Sequence, residues 1–205
     1  MILNIILIIA ILILVFLLFW KFYFLRNPDR ITPEGNNVVS PADGKVVRVL
    51  KINNDKIIEK GLLGKVKIVS EDVFKKGYLI AIMMTPLDVH YQRVPIDGEV
   101  IRKKYKSGNF HNVVRGAKSI RIFDNERNEI LMKTKIGRVK VVQIAGALAR
   151  RISDFVKTNQ NIKKGELLGL INLGSMVCLL LPEKVNLRVK EDEKVKAGET
   201  IIAEY

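Results

Sequence analysis

Few side chains in this sequence are equipped for chemistry. A Gly-Ser pair, Gly174-Ser175, interrupts the largely apolar run INLGSMVCLLLPEK, residues 171–184. A serine hydroxyl becomes a nucleophile only with a base beside it, and the chain has two histidines. His111, in SGNFHNVV, has no acidic neighbour in its own segment and reads as a surface or packing residue. His90, in TPLDVHYQRVPIDG, lies between prolines with Asp88 and Arg93 close by, in a loop leaving the apolar YLIAIMM stretch. Loops held by a rigid sheet are where catalytic groups tend to sit. Asp43, in the SPADG turn, is the candidate carboxylate, although Asp in such a turn serves equally well as a backbone hydrogen-bonding residue. Ser175, His90 and Asp43 supply the residue types of a hydrolase triad. Yet no GxSxG elbow surrounds the serine, which argues against that reading. Neither His-x-x-x-His nor a carboxylate cluster is present, so no metal is expected. Cys178 stands alone, which excludes an internal disulfide and a CxxC zinc site and leaves a small core residue.

Short β-branched runs must position these groups. KVVRVLKI, KVKIVS, YLIAIMM, GEVIRKKY, SIRIF, EILMKTKI, RVKVVQIA, GLINLGSMVCLLLP, VNLRV and TIIAEY are broken by Gly, Pro, Asn and Asp, the signature of strands and turns. The expected fold is mostly β: curled or stacked antiparallel sheets with few short helices. GALARRISDFVK is the clearest helical candidate, with Ala147, Leu148, Ile152 and Phe155 at helical spacing, and Pro86 to Val89 forms a single turn. SPADGKVV and KVKAGETII look alike, as in a duplicated barrel-sandwich hybrid motif of the lipoyl type, without the lysine-bearing hairpin. A non-catalytic, membrane-tethered adaptor of that type is the alternative function.

The first twenty residues, MILNIILIIAILILVFLLFW, carry no charge and as a helix span roughly 30 Å, the thickness of a bilayer core. No basic segment precedes them and no small-residue cleavage site follows, so the stretch reads as a retained anchor rather than a signal peptide. Residues 1–24 are expected to form the anchor, 25–37 a linker and 38–205 the folded domain. Lys21, Arg26 and Arg30 follow the anchor, with Trp20, Phe22 and Tyr23 at headgroup level, which places the domain on the cytoplasmic side of the cell membrane. The formal net charge is +14. Beside an anchor, anionic headgroups are the natural partner for such a surface, and no zinc finger, helix-turn-helix or RNP-type strand points to nucleic acid.

Taken in order, FLRNPDR, SPADGKV, LDVHYQRVPIDG, NERN, VVQIAGALARRI and GELLGLINLGSMVCLLLP resemble the short form of the phosphatidylserine decarboxylase family, archaetidylserine decarboxylases included. The likeness runs from Phe24 to the C-terminus. It implies a precursor that cuts itself at Gly174-Ser175 into a β chain (1–174) and an α chain (175–205), which stay together as a heterodimer. Ser175 Oγ attacks the Gly174 carbonyl, β-elimination opens the resulting ester, and hydrolysis of the dehydroalanine leaves a pyruvoyl group. That cofactor binds the serine phospholipid as a Schiff base, and carbon dioxide leaves to give the ethanolamine lipid. The resemblance assigns acid–base duty to His90 and Asp43. Arg93, Arg150 or Arg151 would hold the lipid phosphate or the serine carboxylate, both of which suit a guanidinium fork. Met176 after the serine and Asn172-Leu173 before the Gly-Ser depart from the family pattern. Arg93 stands where longer members carry a second histidine.

Overall fold

The apolar N-terminus forms a helix, α1 (Ile2–Leu18), that continues through a π-helical turn, Phe19–Phe24. Every α1 residue is exposed, and the first buried side chain is Phe24 at the helix end. An all-round apolar helix with nothing packed on it suits lipid rather than water, and Ile2–Phe24 is long and apolar enough to cross a membrane. The computed structural model describes residues 2–53, 69–108, 124–146, 152–172 and 175–205. The remaining candidates, His111, Arg150, Arg151 and Gly174, lie outside those residues, as do SIRIF and most of KVKIVS.

Beyond the helix the fold is β. The strands are β1 (Asn37–Val39), β2 (Gly44–Asn53), β3 (Lys76–Met84), β4 (Tyr91–Arg93), β5 (Gly98–Lys106), β6 (Arg127–Thr134), β7 (Gly137–Ala145), β8 (Ile152–Asp154), β9 (Asn161–Ile162), β10 (Leu167–Ile171), β11 (Ser175–Pro182), β12 (Asn186–Leu187), β13 (Lys194–Val195) and β14 (Ile201–Glu204). Eight form one curled antiparallel sheet, a half-barrel of order β13-β2-β3-β11-β7-β6-β5-β9. Two small sheets, β1-β14-β12 and β4-β10-β8, accompany it.

Alternation along β11 explains the apolar run around the serine. Val177, Leu179 and Leu181 enter the main core, whereas Met176, Cys178 and Leu180 enter a second cluster on the opposite face. A central strand buried on both faces must be apolar at every position. Ser175 therefore falls on the main-core face. Its strand is paired along its length with β3 and through Leu180 with β7, Ser175 itself facing Met84 on one side and Ala145 on the other.

Two expectations need correction. GLINLGSMVCLLLP is two strands: β10 ends in a small sheet at Ile171, and β11 begins in the large one at Ser175. Ser175 is thus the first residue of the strand in the large sheet. The helix expected over GALARRISDFVK is also not formed in its described part, because β8 pairs Ile152, Ser153 and Asp154 with Ile171, Leu170 and Gly169. Sheet partners thus satisfy its backbone, while Ile152 packs on the main core and Phe155 lies against Tyr91.

The look-alike segments face each other. β1 pairs with β14 and β2 with β13, and Gly198 N–H donates to Ser40 O at 2.8 Å. Gly44, at φ +139°, lets the SPADG turn lie directly on β3, since a Cβ there would sit 2.2 Å from Met83 O.

Candidate active site

β3 delivers Met84 to one end of the large sheet, and the chain then folds into a tight turn. Asp88 N–H donates to Thr85 O at 3.0 Å, while the Asp88 carboxylate accepts from Thr85 N–H and Oγ1–H, each at 2.7 Å. The turn lies over Pro86–Asp88 and turns the chain inward, so that His90 is fully buried. The His90 ring Nδ1 lies 2.9 Å from the Asp88 carbonyl. A carbonyl only accepts, so Nδ1 carries the proton and the lone pair of the neutral ring sits on Nε2. Nε2 is buried and, among the described residues, has no hydrogen-bond partner. Burial lowers the His90 pKa to about 4, against the pull of the Asp88 carbonyl and charge and with the help of the Arg26 cation. At neutral pH His90 is a desolvated base with its acceptor nitrogen open.

The helix supplies the cover. Phe24 lies on the His90 ring with centroids 4.2 Å apart, and Trp20 stacks on Phe24 at 4.5 Å. Tyr23 Oη donates to Leu87 O at 3.4 Å and Arg26 Nη2 donates to the same oxygen at 2.6 Å. The end of the apolar helix is thereby fastened to the turn that carries the histidine.

Ser175 is also fully buried, its Oγ 3.3 Å from Met84 Sδ. Gln92 joins the serine side of this corner to the histidine side: its Nε2 donates to His90 O at 2.6 Å and approaches Met84 Sδ at 3.8 Å. Behind Gln92 runs a chain of buried amides. Gln143 Nε2 donates to Gln92 Oε1 at 2.9 Å, and Asn128 Nδ2 donates to Gln143 Oε1 at 3.0 Å and to Asp154 Oδ2 at 3.1 Å. Lys103 closes the chain on Asp154 Oδ1 at 2.5 Å. Gly169 makes room for it, as a Cβ there would lie 2.5 Å from Gln143 Nε2. Gln92 and Gln143 are each bonded through both amide nitrogen and amide oxygen, which orients the floor of the corner.

Asp43 occupies a neighbouring position with other partners. Arg30 grips its carboxylate with Nη2 at 2.9 and 3.0 Å, and Ala197 N–H donates to it at 2.7 Å. Burial pushes the Asp43 pKa up, against the Ala197 N–H and the Arg30 charge. Among the described residues no hydrogen bond joins Asp43 to His90. Arg93 is likewise engaged by the chain: Nη1 donates to Gly165 O at 2.9 Å, and Nη2 to Asn27 Oδ1 and Pro28 O at 2.8 and 3.1 Å. Arg30 and Arg93 thus pin residues 27–30 to the domain.

The structure therefore gathers Ser175 and His90 around Met84 and Gln92, and sets Asp43 and Arg93 into the adjoining anchorage of residues 27–30. Phe24, Met84, Gln92, Gln143 and Asn128 were not singled out from sequence, and Arg30 was read only as a cation following the anchor. Gln143 was signalled there, as the one amide in RVKVVQIA, at the same strand parity as the core residues Val139 and Val141.

A curled antiparallel half-barrel carries a buried serine and an open, desolvated histidine beneath the end of a helix long and apolar enough to cross a membrane. Residues 17–203 match the Phosphatidylserine decarboxylase family, and the chain belongs to it. A protein of Methanocaldococcus jannaschii, provisionally named an archaetidylserine decarboxylase proenzyme, is 38% identical over 192 residues, covering 91% of this chain and 90% of its own. A Methanothermobacter thermautotrophicus protein with the same provisional name is 36% identical, covering 89% and 79%. The phosphatidylserine decarboxylase proenzyme of Pelodictyon phaeoclathratiforme is 34% identical, covering 92% and 80%.

Proposed function

We propose that this chain is the precursor of a pyruvoyl-dependent decarboxylase that converts a serine phospholipid, archaetidylserine or phosphatidylserine, to its ethanolamine counterpart on the cytoplasmic face of the cell membrane. Family membership supports decarboxylation within phospholipid biosynthesis, and the proenzyme names of the relatives support processing into two chains. The observation that carries the reading is the pairing of Ser175 with both neighbours at the first position of β11. Opening the bond before Ser175 leaves that residue held in place, which fits a cofactor made from its own atoms.

His90 Nε2 is the group suited to draw the proton from Ser175 Oγ as it attacks the Gly174 carbonyl. It is unprotonated and has no competing partner. Phe24 excludes water from the same ring, so that the base does not spend its lone pair on solvent. The pyruvoyl group supplies a ketone to capture the substrate amine and an adjacent carbonyl to take up the electron pair released with carbon dioxide. In turnover His90 has a carbon to protonate, and its lowered pKa means that the proton must first be collected, which the substrate ammonium can supply as its amine reacts. Held neutral, the ring also returns that proton readily. The amide chain through Gln92 and Gln143 keeps the His90 backbone from shifting between these two jobs. Asp43 is proposed to serve through Arg30 and the seating of residues 27–30. Arg150 and Arg151 are the cations proposed for the lipid phosphate or carboxylate, since the Arg93 donors already serve the chain.

Intact-mass analysis of the purified protein tests the reading. It is expected to find a chain beginning at position 175, lighter by one ammonia than a serine-terminated peptide and blocked to Edman degradation. Ser175→Ala should remain a single uncut chain that releases no carbon dioxide from vesicles containing a serine lipid. A free N-terminal serine, or cleavage of Ser175→Ala at the same bond, refutes the mechanism. Supplying diacyl and dialkyl serine lipids side by side assigns the substrate.

A further inference from the structure

Leu87 is an apolar side chain placed where water alone does not explain it. It stands 62% exposed at the tip of the Pro86–Asp88 turn, and its carbonyl takes hydrogen bonds from Tyr23 and Arg26. Scattered exposed apolar residues are ordinary on protein surfaces. Leu87 is not scattered, because the same bonds hold it against the end of the apolar helix, where Phe22 and Tyr23 are exposed as well. Tyr and Trp at a helix end mark the headgroup level of a bilayer. The turn is therefore fixed at the depth of those aromatics.

We propose that the Pro86–Asp88 turn is itself a membrane contact, with Leu87 inserted at the boundary between headgroups and acyl chains of an anionic bilayer. The inference rests on the helix Ile2–Phe24 lying in that bilayer. Charge favours the anionic surface: Lys21 and Arg26 flank the exposed aromatics, while the Asp88 carboxylate is turned back onto Thr85. The topology agrees. Met84, Ser175 and Ala145 share one end of the large sheet, and the Thr134–Gly137 hairpin lies at the other. Strands of about eight residues separate the two ends by roughly 25 Å. Leu87 and His90 are three residues apart, at most about 10 Å of chain. A headgroup reaches the histidine while its acyl chains stay in the bilayer.

Trp20 is the single tryptophan, which permits a direct test on the full chain in vesicles of phosphatidylcholine with phosphatidylglycerol. Lipids brominated near the headgroup end of the acyl chain should quench Trp20 in the parent, reporting the anchor. In Trp20→Phe/Leu87→Trp the new tryptophan should lose at least about half its emission to the same lipids and resist aqueous acrylamide. Trp20→Phe/Lys133→Trp, at the far end of the sheet, should stay open to acrylamide. If position 87 behaves like position 133 while Trp20 is quenched, the turn lies off the membrane and the proposal fails alone. An unquenched Trp20 removes the anchor and the proposal together. Equal quenching at 87 in pure phosphatidylcholine overturns the anionic preference. Leu87→Cys carrying an environment-sensitive label gives the same readout without a bulky substitution, since Cys178 is buried.

Discussion

His90 and Lys140 are equally hidden from water, at 0% and 1% exposure, and their surroundings could hardly differ more. The Lys140 ammonium has three N–H groups and three acceptors: Asp72 Oδ1 at 2.5 Å, Val69 O at 2.8 Å and Glu129 Oε2 at 3.1 Å. Burial pulls its pKa down while the Glu129 charge pulls it up. Glu129, which burial alone would raise, is held below the ordinary carboxylate range by Lys140 and Arg127. His90 has one nitrogen satisfied and the other bare. A buried polar group with every valence met is scaffolding, whereas one left open retains its reactivity, at a cost in stability.

Breaking the open side should cost chemistry. His90→Gln is expected to slow self-cleavage by roughly 10²–10⁴-fold, read by gel after cell-free synthesis into nanodiscs, and to abolish carbon dioxide release per processed molecule. The same variant should change the acid response of folding. The unfolded chain takes a proton at His90 near pH 6.5 and the folded chain only near pH 4. The His90 contribution to stability is thus complete above pH 6.5 and is lost as pH falls from there towards 4. Urea unfolding in micelles at pH 7 and pH 5, with Ser175→Ala in both chains so that neither is cut, should show a smaller acid loss with His90→Gln than without it. A parental cleavage rate in this variant would erase the contrast with Lys140.

Breaking the closed side should cost stability. Lys140→Met strands Glu129 and Asp72 in the interior and is expected to lower unfolding free energy by about 3 kcal/mol, while the folded fraction cleaves at the parental rate. Asp43→Asn and Arg30→Met sharpen the contrast at a smaller scale. If Asp43 acts through Arg30, both should lose about 2 kcal/mol and slow maturation alike. Asp43→Asn stopping cleavage while Arg30→Met spares it would instead give the carboxylate a direct part. Cys178 is the smallest case. Burial pushes its thiol up to about 12, so iodoacetamide at pH 8 should leave it unmodified until urea unfolds the chain.

What could be read from sequence follows the range of the interactions. β3 and β11 were legible because burial on both faces makes every residue apolar, and the serine announced itself by breaking such a run. The described part of GALARRISDFVK was misread as helix because Ile152 and Phe155 imitate helical spacing, while the partner that makes Ile152–Asp154 a strand arrives later, in Leu167–Ile171. Phe24 read only as the last residue of the anchor, and nothing local reveals that it covers His90. Asp43 and Arg30 each lay in a quoted motif, FLRNPDR and SPADGKV, but their pairing is a tertiary fact. Local pattern exposes strands and unusual residues; it does not expose which distant side chain closes on them.

The two-sided pairing of β11 has one more consequence. A cut before Ser175 would divide the protein in two at a strand lying between β3 and β7, with β13 of the same piece paired to β2 and β14 paired to β1. Folding of the precursor is unimolecular, whereas folding of the cut protein requires two chains to meet. The mature form would then be the product of a history: diluted from denaturant it should regain structure only with difficulty and with a dependence on concentration, while the uncut Ser175→Ala chain refolds independently of it. The precursor is, on this view, the assembly template for a protein that cannot easily be built from its own parts.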